Sequence, residues 1–563
     1  MKKQLIECVP NFSEGRNLDI INQITNEIES VEGVKLLDVD PGNATNRTVV
    51  TFVGEPKPVI KAAYLAIKKA SELIDMKQHS GEHPRMGATD VCPLIPISGI
   101  SMEETSMYAK ELAERVGTKL NIPVYLYESA QDDKSRSNLA VIRAGEYEKM
   151  ASKIESKKLL PDFGPHSMNI SAGCTAIGAR DFLIAYNINL NTASTRIANR
   201  IAFDVREAGR VKRQGNPYVG KIVKDENGEA IRIPGRLKNV KAIGWYIEEY
   251  KIAQISMNLT NFRVTPVHLA YEEVFKSCME RGVRVTGSEL VGLIPLSAML
   301  DAGKYFLNKQ GRSLGISEEE IILIAVKSLG LDELAPFDPK KKIIEYMLED
   351  SSNAPLVNLK ANDLADLTAS EAMAPGGGSI SAYVGVLGVS LGTMVANLSA
   401  NKGGWEDRVT EFSDWAEIGQ RIKNELLFLV DEDTRSFNKI IEALRLPKDS
   451  AEEKELRKNA IEKASQYATE IPYKVMQVSM KSFDLLKEMA ENGNPNSLSD
   501  AGVGLLCIQT AVQGAFMNVR INAKDLSDRV FADNIAKNAE LLKDDMLSKT
   551  NSVLNKINES LKG

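Results

Sequence analysis

The sequence predicts a multidomain protein: an N-terminal α/β (α+β) part of two subdomains with ferredoxin-like βαββαβ order, then an all-α helical bundle. Three observations predict it. At 563 residues the chain is too long for a single hydrophobic core. Up to about residue 345, β-rich runs alternate with amphipathic helices; from Val357 onward strand signals vanish and 3.6-residue periodicity takes over. The segment between these regimes, LAPFDPKKKIIEYMLEDSSNAP, is rich in Pro, Lys and Asp/Ser and reads as a docking segment plus linker. The expected boundaries are 1–180, 181–345, a linker at 346–356, and 357–563.

In the first subdomain QLIECV, VKLLDVD and TVVTFVG read as strands, followed by a helix from about Pro58 to Asp75. DVCPLIPI, a helix from Ser101 to Gly117 and PVYLY extend the alternation. The second unit runs FLIAYNINL, a helix to about Ala208, VKAIGWYIEE, AQISMNL, a helix from Pro266 and VRVTGSEL, the split βαββαβ order. Residues Gly209–Gly235, centred on DENGEA, read as an inserted surface hairpin. The C-terminal part predicts helices over Leu359–Ala372, Ser379–Ala400, Asp407–Leu444, Ser450–Ile471, Pro472–Asn492, Leu498–Asp525 and from Ser527 to the end.

Apolar residues make up 43%, charged residues 26%, and the net charge of −6 is interspersed, so neither a nucleic-acid stripe nor an acidic tail is expected. Five scattered cysteines, Cys8, Cys92, Cys174, Cys278 and Cys507, read as reduced thiols of a cytoplasmic protein. The opening MKKQLIECVPNFSEGR is too short in apolar length for a secretory signal. Ala372–Asn401 is uncharged, but it is broken by Pro375–Gly378 and dotted with Ser, Thr and Asn. That favours a buried helix packed through small residues over a membrane span.

Two of the four histidines, His79 and His83, fall in KQHSGEHPRMGATDV between a predicted helix and strand. Metal binding at i,i+4 would need both on one helical turn, which Gly81 and Pro84 disfavour, and no third ligand is nearby, so no metal is expected. A loop histidine bonded to backbone and a general acid–base both remain open. Asp38 and Asp40, ending the LLDVD strand, are candidates to orient such a ring or hold a cation, or to cap a turn.

In the helical part, APGGGSISAYVGVL places three glycines just before a helix, where free amides meet an anion or a polar ring. In LVDEDTRSF, Asp433 interrupts an apolar stripe of Leu426, Leu429, Val430, Phe437 and Ile440, and its pKa should rise. Asp431 faces Arg435 at i+4 and reads as a solvated pair, with Glu432 apart from the stripe. Asn518 and Asn522, one turn apart, suit either a ring edge or a tie between helices.

ECVPNFSEGR, LLDVDPGNATNRTVVTFVG, GEHPRMGATDVCP, YNINLN, GRLKNVKAIGWYIEE and GSELVGLIPL closely resemble the formiminotransferase family over almost all of residues 1–345. APGGGSISAYVGVLGVSLGTMV together with LVDEDTRSFNKIIEALRLPKDSAEEK resembles the formimidoyltetrahydrofolate cyclodeaminase family over roughly 357–563. The resemblance implies a bifunctional enzyme of histidine degradation. It transfers the formimino group of N-formimidoyl-L-glutamate to tetrahydrofolate, then closes the product to the 5,10-methenyl form with loss of ammonia. It implies His83 as the transferase acid–base and Asp433 as the proton donor of cyclisation. Folate is expected in a groove between the transferase subdomains, at Gly164, Pro165, His166, Ser167, Met168, Asn169, Ile170, Ser171, Ala172 and Gly173. The interior of that loop departs from the family's usual residues, so location carries over and single contacts do not. Polyglutamated tetrahydrofolate as co-substrate and a homo-oligomer, a ring of dimers, are also implied; nucleic acid and membrane are not. An alternative keeps one half active and the other as a folate-holding or assembly domain.

Overall fold

The computed structural model describes residues 4–43, 46–81, 84–217, 219–348 and 355–562. The chain divides into two compact units, Met1–Ala298 with Leu329–Leu348, and Met299–Ser328 with Glu349–Gly563. The first carries two large sheets and a two-stranded one, and the second is helical.

The first subdomain runs β1 (Leu5–Cys8), β2 (Asn11–Phe12), α1 (Leu18–Glu29), β3 (Val34–Gly42), β4 (Arg47–Gly54), α2 (Pro56–Leu73), β5 (Thr89–Ser98), α3 (Met102–Leu120), β6 (Val124–Glu128), α4 (Leu139–Arg143), α5 (Glu146–Glu155) and β7 (Thr175–Ala179). β1 lies between β4 and β5, and β3 flanks β4, all antiparallel; β7 and β6 continue the sheet in parallel beyond β5. The sequence reading places no helix between the first two long strands, whereas the structure has α1 there. Its signal is Ile21, Ile24 and Ile28, all buried, behind an Asn17 cap whose side chain accepts the Asp19 and Ile20 amides. Strand alternation then sorts the sheet. Ile6, Cys8, Val50, Phe52, Cys92 and Leu94 are buried in the core with residues of α1–α3. Over β5, β7 and β6 the opposite face is closed by α4 and α5, through Tyr125, Tyr127, Ile142, Met150 and Ile154. Over β1, β3 and β4 that face borders a groove.

The second subdomain is β8 (Ile184–Leu190), α6 (Thr195–Val205), a small hairpin β9 (Arg210–Val211) and β10 (Arg232–Ile233), β11 (Val240–Ile247), β12 (Ile252–Leu259), α7 (Val267–Met279) and β13 (Val285–Val291). Its sheet has the order β11-β12-β8-β13, every pair antiparallel. The β9–β10 hairpin occupies the DENGEA insertion, and its tip is held by the Asp225 carboxylate accepting the Asn227 and Glu229 amides. Ile184, Tyr186, Ile188 and Leu190 are fully buried. Their alternates Ala185, Asn187 and Asn189 point the other way.

Helices α8 (Leu296–Lys309) and α9 (Glu318–Leu329) follow, then the short α10 (Pro339–Lys342) and α11 (Ile344–Leu348). The expected docking segment pairs through Ile343 and Ile344, both fully buried, with Ile294. The 349–354 part of the expected linker lies outside the described residues.

The helical unit holds α12 (Ala361–Thr368), α13 (Gly377–Ala400), α14 (Val409–Leu444), α15 (Ala451–Asn492), α16 (Leu498–Lys524) and α17 (Arg529–Ser560). The α8–α9 segment belongs to it: Gly315 is pressed onto Ala416 of α14, and its carbonyl accepts Asn397 and Gln420. By length and hydropathy α13 and Pro495–Lys524 could each cross a membrane. In the bundle α13 is mostly buried, and Gly388 meets Gly504, Cys507 and Ile508 of α16 with no room for a Cβ. Two helices expected to break at Pro472 form one, α15, with Pro472 buried inside it. Proline lacks the N–H that Ala468 O would accept. Asn522 of α16 supplies it instead, its Nδ2 donating to Ala468 O at 2.8 Å.

Candidate functional site

The loop between α2 and β5 is braced on both sides of residue 83. At its entry Asn46 accepts the Gly15 amide and donates to Ser80 O, while His79 Nε2 donates to Asn46 O at 2.9 Å. His79 Nδ1 accepts from Arg85 Nε at 3.2 Å, which leaves Nε2 to donate to the Asn46 carbonyl. His79 is thus a brace. At the exit Arg85 pairs with Glu146 and Glu148 at 2.9 and 2.7 Å. His83 and Glu82 lie outside the described residues.

The same loop is bonded to the Gly164–Gly173 segment. Met76 N donates to Ser171 O, Ala88 N to Ala172 O and Cys174 N to Met86 O. Gly164 and Gly173 have φ of +86° and +72° and press onto backbone at Ile122 and Met86, so each end admits only glycine. Asn169 is used internally: Oδ1 accepts the Ala172 amide and Nδ2 donates to Asn121 O. Tyr147 donates to Ile170 O. Pro165 and Met168 are half-buried, whereas His166, Ser167, Ile170 and Ser171 are exposed.

A cavity of about 250 Å³ lies between the two sheets, with Glu7, Asp38, Thr51 and Arg180 among its walls and Ala185 and Val291 opposite. Burial pushes the Glu7 carboxyl up to about 7, against the pull of Arg180. On the second sheet Trp245 Nε1 donates to Gln254 Oε1, and Gln254 Nε2 donates to Asn189, both carboxamides being buried. The sequence reading missed Glu7, Arg180 and this carboxamide pair. Their signal was alternation: a glutamate inside the apolar run LIECV, and asparagines on every second residue of YNINLN. Among the described residues no cluster of three or more metal-ligand side chains forms, and all five cysteines are free thiols.

In the helical unit Asp433 sits at the start of α13. Its Oδ2 accepts Ser379 Oγ at 3.1 Å, the Ser379 amide also donates to the carboxylate, and that hydroxyl touches Thr434 Oγ1. A Cβ on Gly378 would come within 2.2 Å of Oδ1, so the glycine is what admits the carboxyl. Burial raises the Asp433 pKa above the ordinary carboxylate range, and the two Ser379 bonds oppose it. Phe437, assigned above to the apolar stripe, is 37% exposed, so the buried stripe ends near Asp433. Asp431 is not a solvated partner of Arg435. It is buried at 3% exposure and accepts the Leu356 and Val357 amides, because the incoming chain covers that face of α14. Glu432 takes Arg435 at 2.7 Å and also binds Tyr467. Asn518 lies against Gly377 and donates to Gly514 O, while Asn522 ties α16 to α15.

Three family patterns cover the chain: the formiminotransferase domain, N-terminal subdomain, over residues 5–180; the formiminotransferase domain over 185–349; and formiminotransferase-cyclodeaminase over 360–541. The formimidoyltransferase-cyclodeaminase of Mus musculus is 43% identical over 531 residues, 94% of each chain. The glutamate formimidoyltransferase of Thermoplasma acidophilum is 44% identical over 309 residues, 54% of this chain and 93% of that protein. A solved formiminotetrahydrofolate cyclodeaminase from Thermotoga maritima is 26% identical and covers 36% of this chain and 98% of its own, with a TM-score of 0.32. The chain belongs to the formimidoyltransferase-cyclodeaminase family.

Proposed function

We infer that the chain catalyses two consecutive folate reactions: glutamate formimidoyltransferase in the β/α unit and formimidoyltetrahydrofolate cyclodeaminase in the helical unit. Tetrahydrofolate is the co-substrate of both steps. The observation that carries the second step is the Asp433 carboxyl at the start of α13, with its pKa raised by burial.

In transfer, N5 of tetrahydrofolate attacks the amidine carbon of N-formimidoyl-L-glutamate. His83 takes the N5 proton and returns it to the departing glutamate nitrogen, leaving 5-formimidoyltetrahydrofolate and L-glutamate. The Gly164–Gly173 loop, bonded to residues on both sides of His83, holds the folate through its exposed residues. In cyclisation, N10 attacks the same carbon, the C–N bond to the imino nitrogen breaks, and ammonia leaves with a proton from Asp433. A carboxylic acid with a raised pKa retains that proton nearer neutrality. Ser379 and Gly378 set its position.

We read both β/α layers as ferredoxin-like, the first along β1–α1–β3–β4–α2–β5 and the second along β8–α6–β11–β12–α7–β13. We assign residues 1–180 and 181–345 to the transferase and 357–563 to the cyclodeaminase. Free thiols support a cytoplasmic location, and homo-oligomerisation and a polyglutamated folate are part of the same proposal.

Following methenyl-tetrahydrofolate absorbance and ammonia release tests the reading. Formimidoyl-glutamate with tetrahydrofolate should give both signals, and so should preformed 5-formimidoyltetrahydrofolate alone. Signal from only one of these starting points would assign activity to one half.

A further inference from the structure

Three guanidinium groups gather where β4, α4 and the His79–Arg85 loop meet, and only two are matched. Arg85 is paired with Glu146 and Glu148. Arg143 is paired at 2.8 Å with Asp90, which is fully buried and also accepts the Met86 amide. Arg47 is left over. Its Nε is buried without a hydrogen-bond partner, and among the described residues no carboxylate lies within ion-pair distance of it. Asp90, Asp40 and Arg143 act on it only through space, and burial disfavours its charged form. A half-buried guanidinium without a partner is costly, so its retention calls for an anion from outside the protein.

Its position says which anion. Arg47 starts β4, on the same face as Val49 and Thr51, which line the inter-sheet cavity. Asn46, its neighbour, is the residue that holds His79 and Ser80. Asp40 is the register partner of Val49 and therefore points from the same face, diagonal to Arg47 at roughly 7 Å. Asp40 and Arg47 are opposite in charge and close, yet they form no ion pair. The sheet face that borders the groove thus carries one cationic and one anionic group side by side, Arg47 half-buried and Asp40 exposed, beyond Val49 and Thr51 and beside His79 and Ser80.

We propose that Arg47 anchors a carboxylate of the formimino donor while Asp40 receives its amidinium. This deepens the transferase reading and rests on it. The donor carries an amidinium and a carboxylate on the same carbon, the spacing that two neighbouring sockets require. Tetrahydrofolate has no cationic group beside its carboxylates, so it does not fill both. Glutamate, once the formimino group has left, keeps its carboxylates, and L-glutamate remains a ligand for Arg47.

Steady-state kinetics of the full chain, varying each substrate in turn, decides the matter. Arg47→Gln should raise the KM for formimidoyl-glutamate about 10- to 100-fold, the loss of one charge-assisted contact, with the tetrahydrofolate KM unchanged. Two donor analogues, each lacking one carboxylate, identify which group Arg47 holds: wild type prefers the full donor over both, and Arg47→Gln loses the preference against one. Denaturant unfolding followed through Trp245, with Trp405 and Trp415 replaced by Phe, reports that the β/α unit of the variant is folded. Should Arg47→Gln fail that control, Arg47→Lys, which keeps charge without the planar fork, is read the same way. A raised folate KM with an unchanged donor KM overturns the proposal, as does a fall in kcat with both KM values kept. A wild type without any transferase turnover would instead defeat the functional reading, leaving the two failures distinct.

Discussion

The β/α unit and the helical unit support their proposed proton-handling groups by opposite means. In the first, the proposed acid–base is His83, and side chains pin the described residues that flank it: Asn46 and His79 on one side, Arg85 on the other. An imidazole titrates near neutrality without help, so the loop has only to hold it. In the second, Asp433 stands on the 36-residue helix α14 and is admitted by a missing side chain, Gly378. A carboxyl needs burial to keep a proton at neutral pH, and a helix packed in a bundle supplies burial more readily than a loop. The residue type chosen for each site follows from the scaffold that carries it.

The comparison breaks most sharply at the two groups themselves. His83→Ala should lower transfer by about 10²- to 10⁴-fold and leave cyclisation of preformed intermediate intact; Asp433→Ala should do the converse. Measuring each step separately on folded variants checks this, and loss of both steps in both variants would end the two-site account. Next comes Gly378→Ala. A Cβ 2.2 Å from Asp433 Oδ1 must displace the carboxyl or the start of α13. Cyclisation should drop about 10²-fold with transfer unaffected. Equal activity in this variant would show that the Asp433 position is not fixed by that glycine.

Much of this layout was legible in sequence, and the exceptions share a cause. Strands with one apolar face, the hairpin at DENGEA and the long helices all follow from periodicity, which is local. The buried-helix reading of Ala372–Asn401 and the helical position of Asp433 succeeded on the same grounds. Asp431 failed because helical spacing cannot say that Leu356 and Val357 will return, 75 residues away, to cover that face. Pro472 failed because its missing donor is replaced by Asn522 from another helix. Glu7 went unnoticed for a related reason: the cavity it faces exists only once a second sheet closes it.

Glu7 offers a third way to sharpen the contrast, since it brings a buried carboxyl into the β/α unit. Its pKa stands at about 7 instead of 4.5, so the folded chain keeps this proton while the unfolded chain releases it. Stability of the first unit should therefore fall as pH rises from 4.5 through 7, by about 3–4 kcal/mol in all. Glu7→Gln removes that decline: no gain at pH 4, and a gain of similar size above pH 7. Denaturant unfolding followed through Trp245, with Trp405 and Trp415 replaced by Phe, reads this unit alone. A variant whose pH dependence matches wild type would show that Glu7 is ionised in the fold.

The smallest effect tests whether the helical unit's rigidity is as distributed as its packing suggests. Asn522 donates to the one carbonyl that Pro472 leaves without a partner in α15. Asn522→Ala should cost about 1–3 kcal/mol, the penalty of a buried unsatisfied carbonyl. Pro472→Ala restores the backbone N–H to Ala468 O, so in that background the same asparagine change should cost much less. The difference between the two costs is the coupling energy of a double-mutant cycle. It is read by urea unfolding followed through Trp405 and Trp415, with Trp245 replaced by Phe. Equal costs in both backgrounds would mean that Asn522 stabilises the bundle through its packing and that the proline is tolerated for another reason. A cost confined to the proline background would show that one side chain of α16 is what lets a 42-residue helix run unbroken through Pro472.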